Sequence, residues 1–544
     1  MFDDSLLIQG PKKVASGEKA MVATQHPEVT KAMLEVMKDG GNAVDATIMA
    51  CLLQNVYEPH MSNHAATVNF LYYESSTGKT HFLNGVAELP EGLSPFSPNP
   101  HSTQVCAIPG FAPSLAELHK RFGTKEWSYY CQPAIKAAEE GTIMTSFKYA
   151  CLYASRDART YFPSSREFFY PNGFLVPVGH RWKRPDLAET LRRLAEEGPE
   201  YFITGEWAQH FVEMSNEIGW EITLDHLKAY EPRWMEPIKW TYNDHEMLGN
   251  PPPDTGGLIQ AYVLGVLDEF DLKSMGHYTE SAETLYTMAW MLKRARTELL
   301  ELIRSPLCYE IPVEIFLSKE YHHMVAEILK HSKPIIDLTK DLRLKTSKAA
   351  VASSGLEPKE EVDDSCHNVM CDPDGNWVTM MHTGNGGGVP GLVVDGVAMG
   401  GMSNNAVAAG PGRRRRSGNN PIMIMDDNNE PEMVLGTPGM PVFSTPIVLS
   451  NIFEFGMDPN KAVDAPRFWW LEEETKKGVH YKVQVENRLS KETIAGLAKM
   501  GVQIESLGSY RWNMGSFQVI WKEKENGRLK GTSDPRRLGY AEGY

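Results

Sequence analysis

The feature of this sequence that most constrains its fold is a change of pattern near residue 365. Before that point, apolar residues recur at helical spacing over residues 114–122, 187–197 and 282–302. After it, glycine, proline and aspartate turns separate short apolar runs, and we predict strands at 369–370, 377–381, 422–425, 433–435 and 517–521. No flexible linker lies between the two patterns. The sequence therefore predicts one intertwined α+β unit made of segments 1–364 and 365–544.

The beginning of the chain combines both kinds of element. Residues 27–38 predict an amphipathic helix that stops at Gly40-Gly41, and residues 44–56 predict a helix buried on all sides. Residues 67–73 and 80–83 are rich in β-branched and aromatic residues on either side of a turn, which indicates a β-hairpin. The middle of the chain, residues 109–348, is predicted to be mostly helical.

Charge and hydropathy exclude several classes of function. The 54 basic and 70 acidic residues give a net charge of −16, which phosphate backbones repel. The one basic run, four arginines at 413–416, is predicted to be a solvated loop, so we expect no nucleic-acid partner. No apolar stretch reaches the roughly 18 residues of a membrane span, and we expect no membrane association.

The start of the chain and its cysteines predict the compartment. Two aspartates come first and the apolar run covers only residues 6–8, unlike a secretory signal. The seven cysteines are scattered and form no CxxC pair, which argues against a disulfide framework and against a zinc ribbon. We therefore expect a cytoplasmic protein with reduced thiols.

Short motifs follow one another through the whole chain. They are His26-Pro27, Gly40 to Ala46, Glu58 to Ser62, Pro109-Gly110, Pro251-Pro252, Gly256-Gly257, Asp374-Gly375-Asn376, Gly436 to Gly439, Ala465 to Phe468 and Ser533 to Arg536. In order and spacing they resemble the γ-glutamyltranspeptidase family of N-terminal nucleophile hydrolases. The resemblance implies a four-layer αββα sandwich, an α+β fold to which both segments contribute.

The same resemblance implies a processed chain with an internal nucleophile. In that family an internal peptide bond is cut autocatalytically ahead of a Thr-Thr-His that opens the small subunit. The matching stretch here is Ser365-Cys366-His367, which puts Ser365 at the nucleophile position and the cut between Asp364 and Ser365. Serine keeps the hydroxyl of the usual threonine and lacks only the methyl that restrains its rotamer.

The chemistry expected at Ser365 needs few parts. A hydroxyl is a weak nucleophile, and the α-amine freed by cleavage, with an unperturbed pKa of about 7.7–8.0, can serve as its base. The uncut chain would be an inactive zymogen. By resemblance, Thr383 orients Ser365, Asn385 lines the site, and the N–H groups of Gly439 and Met440 form the oxyanion hole. The family usually has Gly-Gly there, so Met440 is a departure. We expect no metal and no cofactor.

The substrate-binding positions depart most from the family. Valine replaces the arginine that grips the α-carboxylate of glutamate, at Val86. Alanines replace the two aspartates that grip its α-amino group, at Ala408 and Ala409, and the family's Ser-Ser pair becomes Ser417-Gly418. Because a buried charge needs a partner, the loss of these clamps is unfavourable to a γ-glutamyl zwitterion.

We therefore expect an acylase-like amidohydrolase that cleaves a small-molecule amide through an acyl-enzyme on Ser365. We expect no protein partner other than its own large and small subunits. The sequence leaves open whether two such pairs form a dimer. One alternative is a glutathione hydrolase or γ-glutamyltransferase with relocated clamps, such as the arginines at 413–416. Another is an unprocessed, non-catalytic scaffold protein. Cys366 invites a thiol mechanism, but neighbours in a strand point to opposite faces, so we predict that Cys366 packs in the core.

Overall fold

The fold is seen in a computed structural model that describes residues 9–90, 99–102, 104–303, 310–331, 365–384, 386–403, 413–414, 417–475 and 478–544. Numbered in chain order, its strands are β1 (Ala15–Gly17), β2 (Met21–Thr24), β3 (Thr67–Glu74), β4 (Lys79–Gly85), β5 (Glu88–Leu89), β6 (Gln104–Val105), β7 (Thr142–Ile143), β8 (Arg181–Trp182), β9 (Arg233–Met235), β10 (Ile238–Tyr242), β11 (His245–Gly249), β12 (Cys366–Cys371), β13 (Trp377–Thr383), β14 (Val393–Val394), β15 (Val397–Ala398), β16 (Met402–Ser403), β17 (Arg413–Arg414), β18 (Ile422–Met425), β19 (Pro431–Gly436), β20 (Phe468–Thr475), β21 (Gly478–Glu486), β22 (Gln503–Leu507), β23 (Gln518–Lys522), β24 (Leu529–Ser533) and β25 (Tyr540–Gly543).

Helices occur throughout the described chain. They are α1 (Pro27–Lys38), α2 (Ala43–Tyr57), α3 (Phe111–Phe122), α4 (Trp127–Glu140), α5 (Ser146–Ala154), α6 (Arg156–Arg159), α7 (Pro163–Phe169), α8 (Pro185–Glu197), α9 (Glu200–Ile203), α10 (Glu206–Glu217), α11 (Leu224–Lys228), α12 (Gly256–Leu267), α13 (Leu272–Met275), α14 (Ala282–Leu302), α15 (Val313–Leu317), α16 (Lys319–His331), α17 (Pro441–Phe453), α18 (Pro459–Asp464) and α19 (Lys491–Lys499). None of the described helices is both long and apolar enough to cross a membrane.

Two large antiparallel sheets form the centre of the molecule. The first has the strand order β1-β24-β23-β19-β18-β11-β10, and the second has the order β25-β2-β12-β13-β3-β4-β9. Each sheet contains strands from before and after residue 365. Both segments therefore contribute strands to both sheets, and the cut between them stays a prediction.

The sheets face each other across an apolar layer that includes Leu71, Trp377, Met423, Val434 and Ile520. On the outer side of the second sheet, α1 and α2 pack against strand residues of opposite parity, such as Phe70 and Met380. On the outer side of the first sheet, residues of α12 and α17 pack against Ile424 and Val519. This arrangement confirms the αββα sandwich.

Local patterns predicted several elements well and missed one hairpin. The helices at 27–38 and 282–302 have the predicted bounds, and the β3–β4 hairpin lies where the β-branched runs indicated. The prediction that the middle of the chain is mostly helical was wrong for β10 and β11, which form a hairpin at the edge of the first sheet. Its turn residues Asn243 and Asp244 have φ of 47° and 62°, a geometry that Asn and Asp tolerate.

Candidate active site

The strand register brings Ser365 and Thr383 together. β12 and β13 pair antiparallel with Cys366 opposite His382, so the residue before Cys366 lies opposite the residue after His382. Directly opposite residues of an antiparallel pair share a face, with Cβ atoms about 4.5–5.5 Å apart. Thr383 in turn pairs with Thr67 of β3. Ser365, Thr383 and Thr67 therefore form one row across the ends of three strands.

This row lies at the edge of the layer between the two sheets. Side chains alternate along a strand, and Val369 and Trp377, which share parity with Ser365 and Thr383, pack in the inter-sheet layer. Ser365 is 9% exposed and Thr383 is 4% exposed. The Ser365 carbonyl accepts a hydrogen bond of 3.3 Å from Gln25 Nε2. The hydroxyl at position 365 is thus held at a covered strand end, with a second hydroxyl beside it.

Cys366 points the other way, as its parity predicted. It is fully buried and packs with Met61, Phe147 and Cys151 on the helix side of the second sheet. Burial, and secondarily the nearby Glu58 carboxyl, raises the pKa of the Cys366 thiol well above its ordinary value. Packing in the core is confirmed for Cys366, and such a thiol is poorly suited to attack.

The loop after β19 supplies the two N–H groups expected at an oxyanion hole. β19 faces β12 and β13 across the inter-sheet layer, and Thr379 Oγ1 of β13 donates to the Leu435 carbonyl at 3.2 Å. Gly439 has φ of 89°, and Met440 is the N-cap of α17. Neither N–H meets an acceptor among the described residues. Both groups thus stand at a helix N-terminus, where N–H donors favour negative charge.

The substrate-binding positions are only partly described. Val86 directly follows β4, is fully buried, and offers its carbonyl to Tyr230 OH at 2.8 Å. Ser417 is buried and Gly418 is exposed. The remaining predicted positions lie outside the described residues; they are Asn385, Ala408 and Ala409.

Arg414 corrects the expectation of a solvated arginine loop. Its side chain is 1% exposed, because strand β17 pairs with β5 and carries the guanidinium into the protein. Nη1 donates to the carbonyl and side-chain oxygens of Asn84 at 2.7 and 3.0 Å, and Nη2 donates to the carbonyl of Glu231. Nε lies 3.5 Å from the Glu88 carboxylate. The guanidinium of Arg414 can be buried because oxygens from distant parts of the chain accept its hydrogen bonds.

Sequence reasoning missed a buried acid beside these positions. Asp254 is fully buried, and its Oδ2 accepts from Asn69 Nδ2 at 2.6 Å and from Asn84 Nδ2 at 2.9 Å. The Asn419 side chain donates to Asn69 Oδ1 at 2.5 Å. The sequence signal that could have found it is a pair of asparagines, Asn69 and Asn84, each next to apolar residues in the predicted strands of the β3–β4 hairpin. Within the described residues, no group of three His, Cys, Asp or Glu side chains could hold a metal ion.

Comparison with known proteins agrees with this architecture. The gamma-glutamyltranspeptidase family model matches residues 29–544. A glutathione hydrolase proenzyme of Bacillus subtilis is 26% identical in an alignment 568 residues long, which covers 98% of this chain and 92% of that protein. The acylase ACY 1 proenzyme of Pseudomonas sp. strain SE83 is 26% identical over 487 residues, which cover 84% of each chain.

Solved structures with a similar fold belong to the same group of proteins. The crystal structure of cephalosporin acylase from Bacillus halodurans aligns with a TM-score of 0.82 and 25% identity, covering 98% of this chain and 97% of that one. A γ-glutamyltranspeptidase from Pseudomonas nitroreducens aligns over 55% of this chain and 91% of its own, with a TM-score of 0.51 and 26% identity. The chain belongs to the γ-glutamyltranspeptidase family and is an amide-hydrolysing enzyme of that family.

Proposed function

We propose that this enzyme hydrolyses a small acyl amide that is not γ-glutamyl, through an ester on Ser365, after cutting its own chain between Asp364 and Ser365. The observation that carries the proposal is the register of β12 and β13, which sets position 365 opposite the Thr383 hydroxyl at a covered strand end. A neighbouring hydroxyl can hold the attacking oxygen in one orientation, and orientation is a large part of the barrier.

Maturation uses the Ser365 hydroxyl against its own peptide bond. Oγ adds to the Asp364 carbonyl, and the bond from that carbon to the Ser365 nitrogen breaks. The products are an ester between Asp364 and Oγ and a free α-amine on Ser365. Water then hydrolyses the ester, which frees the Asp364 carboxyl and restores the hydroxyl. The base needed for turnover is therefore made by the cut itself.

Turnover repeats this chemistry on the substrate. The α-amine takes the proton of Oγ while Oγ adds to the substrate carbonyl, and the negative oxygen faces the N–H groups of Gly439 and Met440. Collapse breaks the carbon–nitrogen bond, and the leaving amine departs with the proton held by the α-amine. Water completes the cycle by hydrolysing the acyl-enzyme. One oxyanion donor is typically worth about 10²–10³ in rate.

The local charges disfavour a γ-glutamyl group. Val86 offers no charge to a carboxylate, and it is fully buried. Two observations favour the alternative, glutathione hydrolysis: relatives such as the Bacillus subtilis protein are named glutathione hydrolases, and the Arg414 guanidinium reaches Asn84, two residues from Val86. However, both Nη atoms of Arg414 already donate to protein oxygens, and its charge is paired with Glu88. The relatives named acylases support an acyl amide instead.

The test combines intact mass with two substrates. The purified chain is expected to run as two pieces, the second beginning at Ser365, and to cleave butyryl 4-nitroanilide but not γ-glutamyl 4-nitroanilide. Ser365→Ala should stay whole and inactive, whereas Ser365→Thr, which keeps a hydroxyl, should still be cut. A fully active single chain, or a new N-terminus at Cys366, would refute the mechanism. Efficient hydrolysis of glutathione would refute the substrate assignment alone.

A further inference from the structure

The buried carboxyl of Asp254 is bound by strand residues that lie two positions away from the strand ends of the candidate site. Asn69 and Asn84 are directly opposite each other on β3 and β4, and both side chains donate to Asp254 Oδ2. Two residues further along the same faces are Thr67 and Val86. Two residues of a strand advance about 7 Å. Asp254 is therefore fixed close behind Val86, where the family resemblance puts the lost carboxylate clamp.

One oxygen of the Asp254 carboxyl lacks a hydrogen-bond donor within the described residues. Asp254 is fully buried, and its Oδ1 has no hydrogen-bond partner of normal geometry among the described residues. A buried acceptor left without a donor is costly, and such an atom in a native fold needs an explanation. The part of the chain that the structure describes places no lysine or arginine nitrogen within ion-pairing distance of it; Arg414 pairs with Glu88.

Ser417 connects Asp254 to the substrate-binding positions. The side chains of Ser417 and Asn250 both interact with the Asp254 carboxyl, although neither completes a hydrogen bond to Oδ1. Ser417 Oγ also accepts from the Asn419 N–H at 3.2 Å. Ser417 and Asn250 therefore lie beside the Asp254 carboxyl without supplying the donor that its Oδ1 lacks.

We infer that Asp254 determines the acyl specificity of this enzyme, by favouring acyl groups that carry a hydrogen-bond donor, an ammonium group above all, and rejecting acyl groups that carry a carboxylate. The donor would lie beside Val86 and Ser417, at the end of the acyl group remote from the scissile carbonyl. The inference rests on the proposed function and names its substrate class. The valine in place of the family's arginine and the buried acid behind it together reverse the charge that this end of the pocket selects.

Four anilides with the same chain length separate the possibilities. They are the 4-nitroanilides of 4-aminobutyryl, butyryl, glutaryl and γ-glutamyl groups, which differ only in the ammonium and carboxylate at the far end. For the wild-type enzyme at about pH 8.5, where Asp254 is ionised, we expect kcat/KM for 4-aminobutyryl to exceed that for butyryl by roughly 10-fold or more. We expect glutaryl to fall below butyryl, because a like charge across a buried contact is strongly disfavoured. Glutaryl cleaved as well as 4-aminobutyryl overturns the inference.

Asp254→Asn is the variant that assigns the effect. It should lower the ratio of 4-aminobutyryl to butyryl about 10-fold and raise the ratio of glutaryl to butyryl. Asp372→Asn is the matched control, because Asp372 is equally buried but binds Ala43 N and Asn376 in the turn at the opposite end of β12 and β13. That control should leave both ratios unchanged. Unchanged ratios in a folded Asp254→Asn protein overturn the assignment.

A binding readout separates this inference from the proposed hydrolysis. Thermal unfolding of the wild-type protein with 4-aminobutyrate, butyrate and glutarate reports charge preference without turnover. Stabilisation by 4-aminobutyrate alone, with no anilide cleaved, would sink the proposed reaction and keep the charge preference. Cleavage of the 4-aminobutyryl, butyryl and glutaryl anilides at similar rates, with equal thermal shifts, would keep the proposed reaction and overturn the charge preference.

Discussion

The nucleophile end and the acyl end of this site follow different rules, although both lie at the same edge of one sheet. At the nucleophile end, Ser365 keeps the hydroxyl of the family's usual threonine and lies opposite Thr383, and the Gly439-Met440 loop begins α17. At the acyl end, the apolar Val86 takes the place of the family's arginine, and the buried Asp254 lies behind it. The reacting atoms need one geometry whatever the substrate, whereas the acyl pocket must match one ligand.

The two ends also differ in how the protein satisfies its polar groups. Among the residues that the structure describes, the nucleophile end has donors without acceptors, the N–H groups of Gly439 and Met440. Within the same residues the acyl end has the opposite imbalance, an acceptor without a donor at Asp254 Oδ1. An unsatisfied donor suits an oxyanion, and an unsatisfied acceptor suits a substrate N–H. Each end therefore implies a ligand group of the opposite kind.

The largest expected effect is a stability change with pH at the acyl end. Burial raises the pKa of Asp254 to about 7, although the hydrogen bonds from Asn69 and Asn84 and the nearby Asn250 and Ser417 side chains lower it. Below about pH 4 the carboxyl is protonated in both the folded and the unfolded chain. As pH rises from there to about 7, only the unfolded chain releases the proton, so stability falls by up to about 4 kcal/mol.

Asp254→Asn should remove that loss. Urea unfolding of Asp254→Asn and of its parent, both in the uncut Ser365→Ala background, would be compared between pH 4.5 and 7.5. We expect the variant to gain stability relative to its parent as pH rises. The charged groups nearest the site, Arg414 and Glu88, are paired with each other and are common to both chains, as is Tyr230. A stability difference that does not change with pH would show that Asp254 is ionised at low cost.

The next effect concerns the oxyanion loop. A Cβ at Gly439 would lie 2.9 Å from both the Asn513 carbonyl oxygen and the Gly515 nitrogen, at a φ of 89° that L side chains rarely adopt. We expect Gly439→Ala to shift the loop and reduce kcat about 10²–10³-fold. Gly456→Ala is the matched control, since Gly456 has φ of 64° and open space around it. Equal kcat in the two variants would place the oxyanion hole elsewhere.

A smaller effect is expected at Thr383, the residue that we propose orients the nucleophile. Thr383→Val keeps the shape and removes the hydroxyl, and we expect about 10²-fold slower self-cleavage and turnover. Thr383→Ser keeps the hydroxyl and should recover most of both rates. The measurements are the fraction of cut chain over time after synthesis and the steady-state kcat of fully cut protein. Wild-type rates in the valine variant would mean that Thr383 is a structural residue only.

The sequence predicted the nucleophile end better than the acyl end, for a physical reason. Strands 369–370 and 377–381 and the alternation that separates Ser365 from Cys366 are local patterns, and they appear as β12 and β13. The acyl end depends on contacts between distant segments, such as Asn84 with Asp254 and with Arg414. Periodicity carries no information on such pairs, so the burial of Arg414 and of Asp254 could not be foreseen. The β10–β11 hairpin was missed for a different reason: it is a local element with an Asn243-Asp244 turn, but it lies in a region where helical patterns dominate.

The smallest expected effect is at Cys366, and its smallness is informative. The thiol neighbours the nucleophile in sequence, but it lies on the helix side of the sheet, fully buried beside Met61 and Phe147, where burial raises its pKa. Cys366→Ala should therefore change kcat by less than about threefold and cost roughly 1–2 kcal/mol of stability from lost packing. Treatment of the native wild-type enzyme with iodoacetamide should likewise leave its activity intact, because a buried, protonated thiol reacts slowly. If Cys366→Ala loses self-cleavage and turnover as completely as Ser365→Ala, the sulfur takes part in the reaction. The placement of Ser365 and Cys366 on opposite faces of the sheet would then not identify the nucleophile.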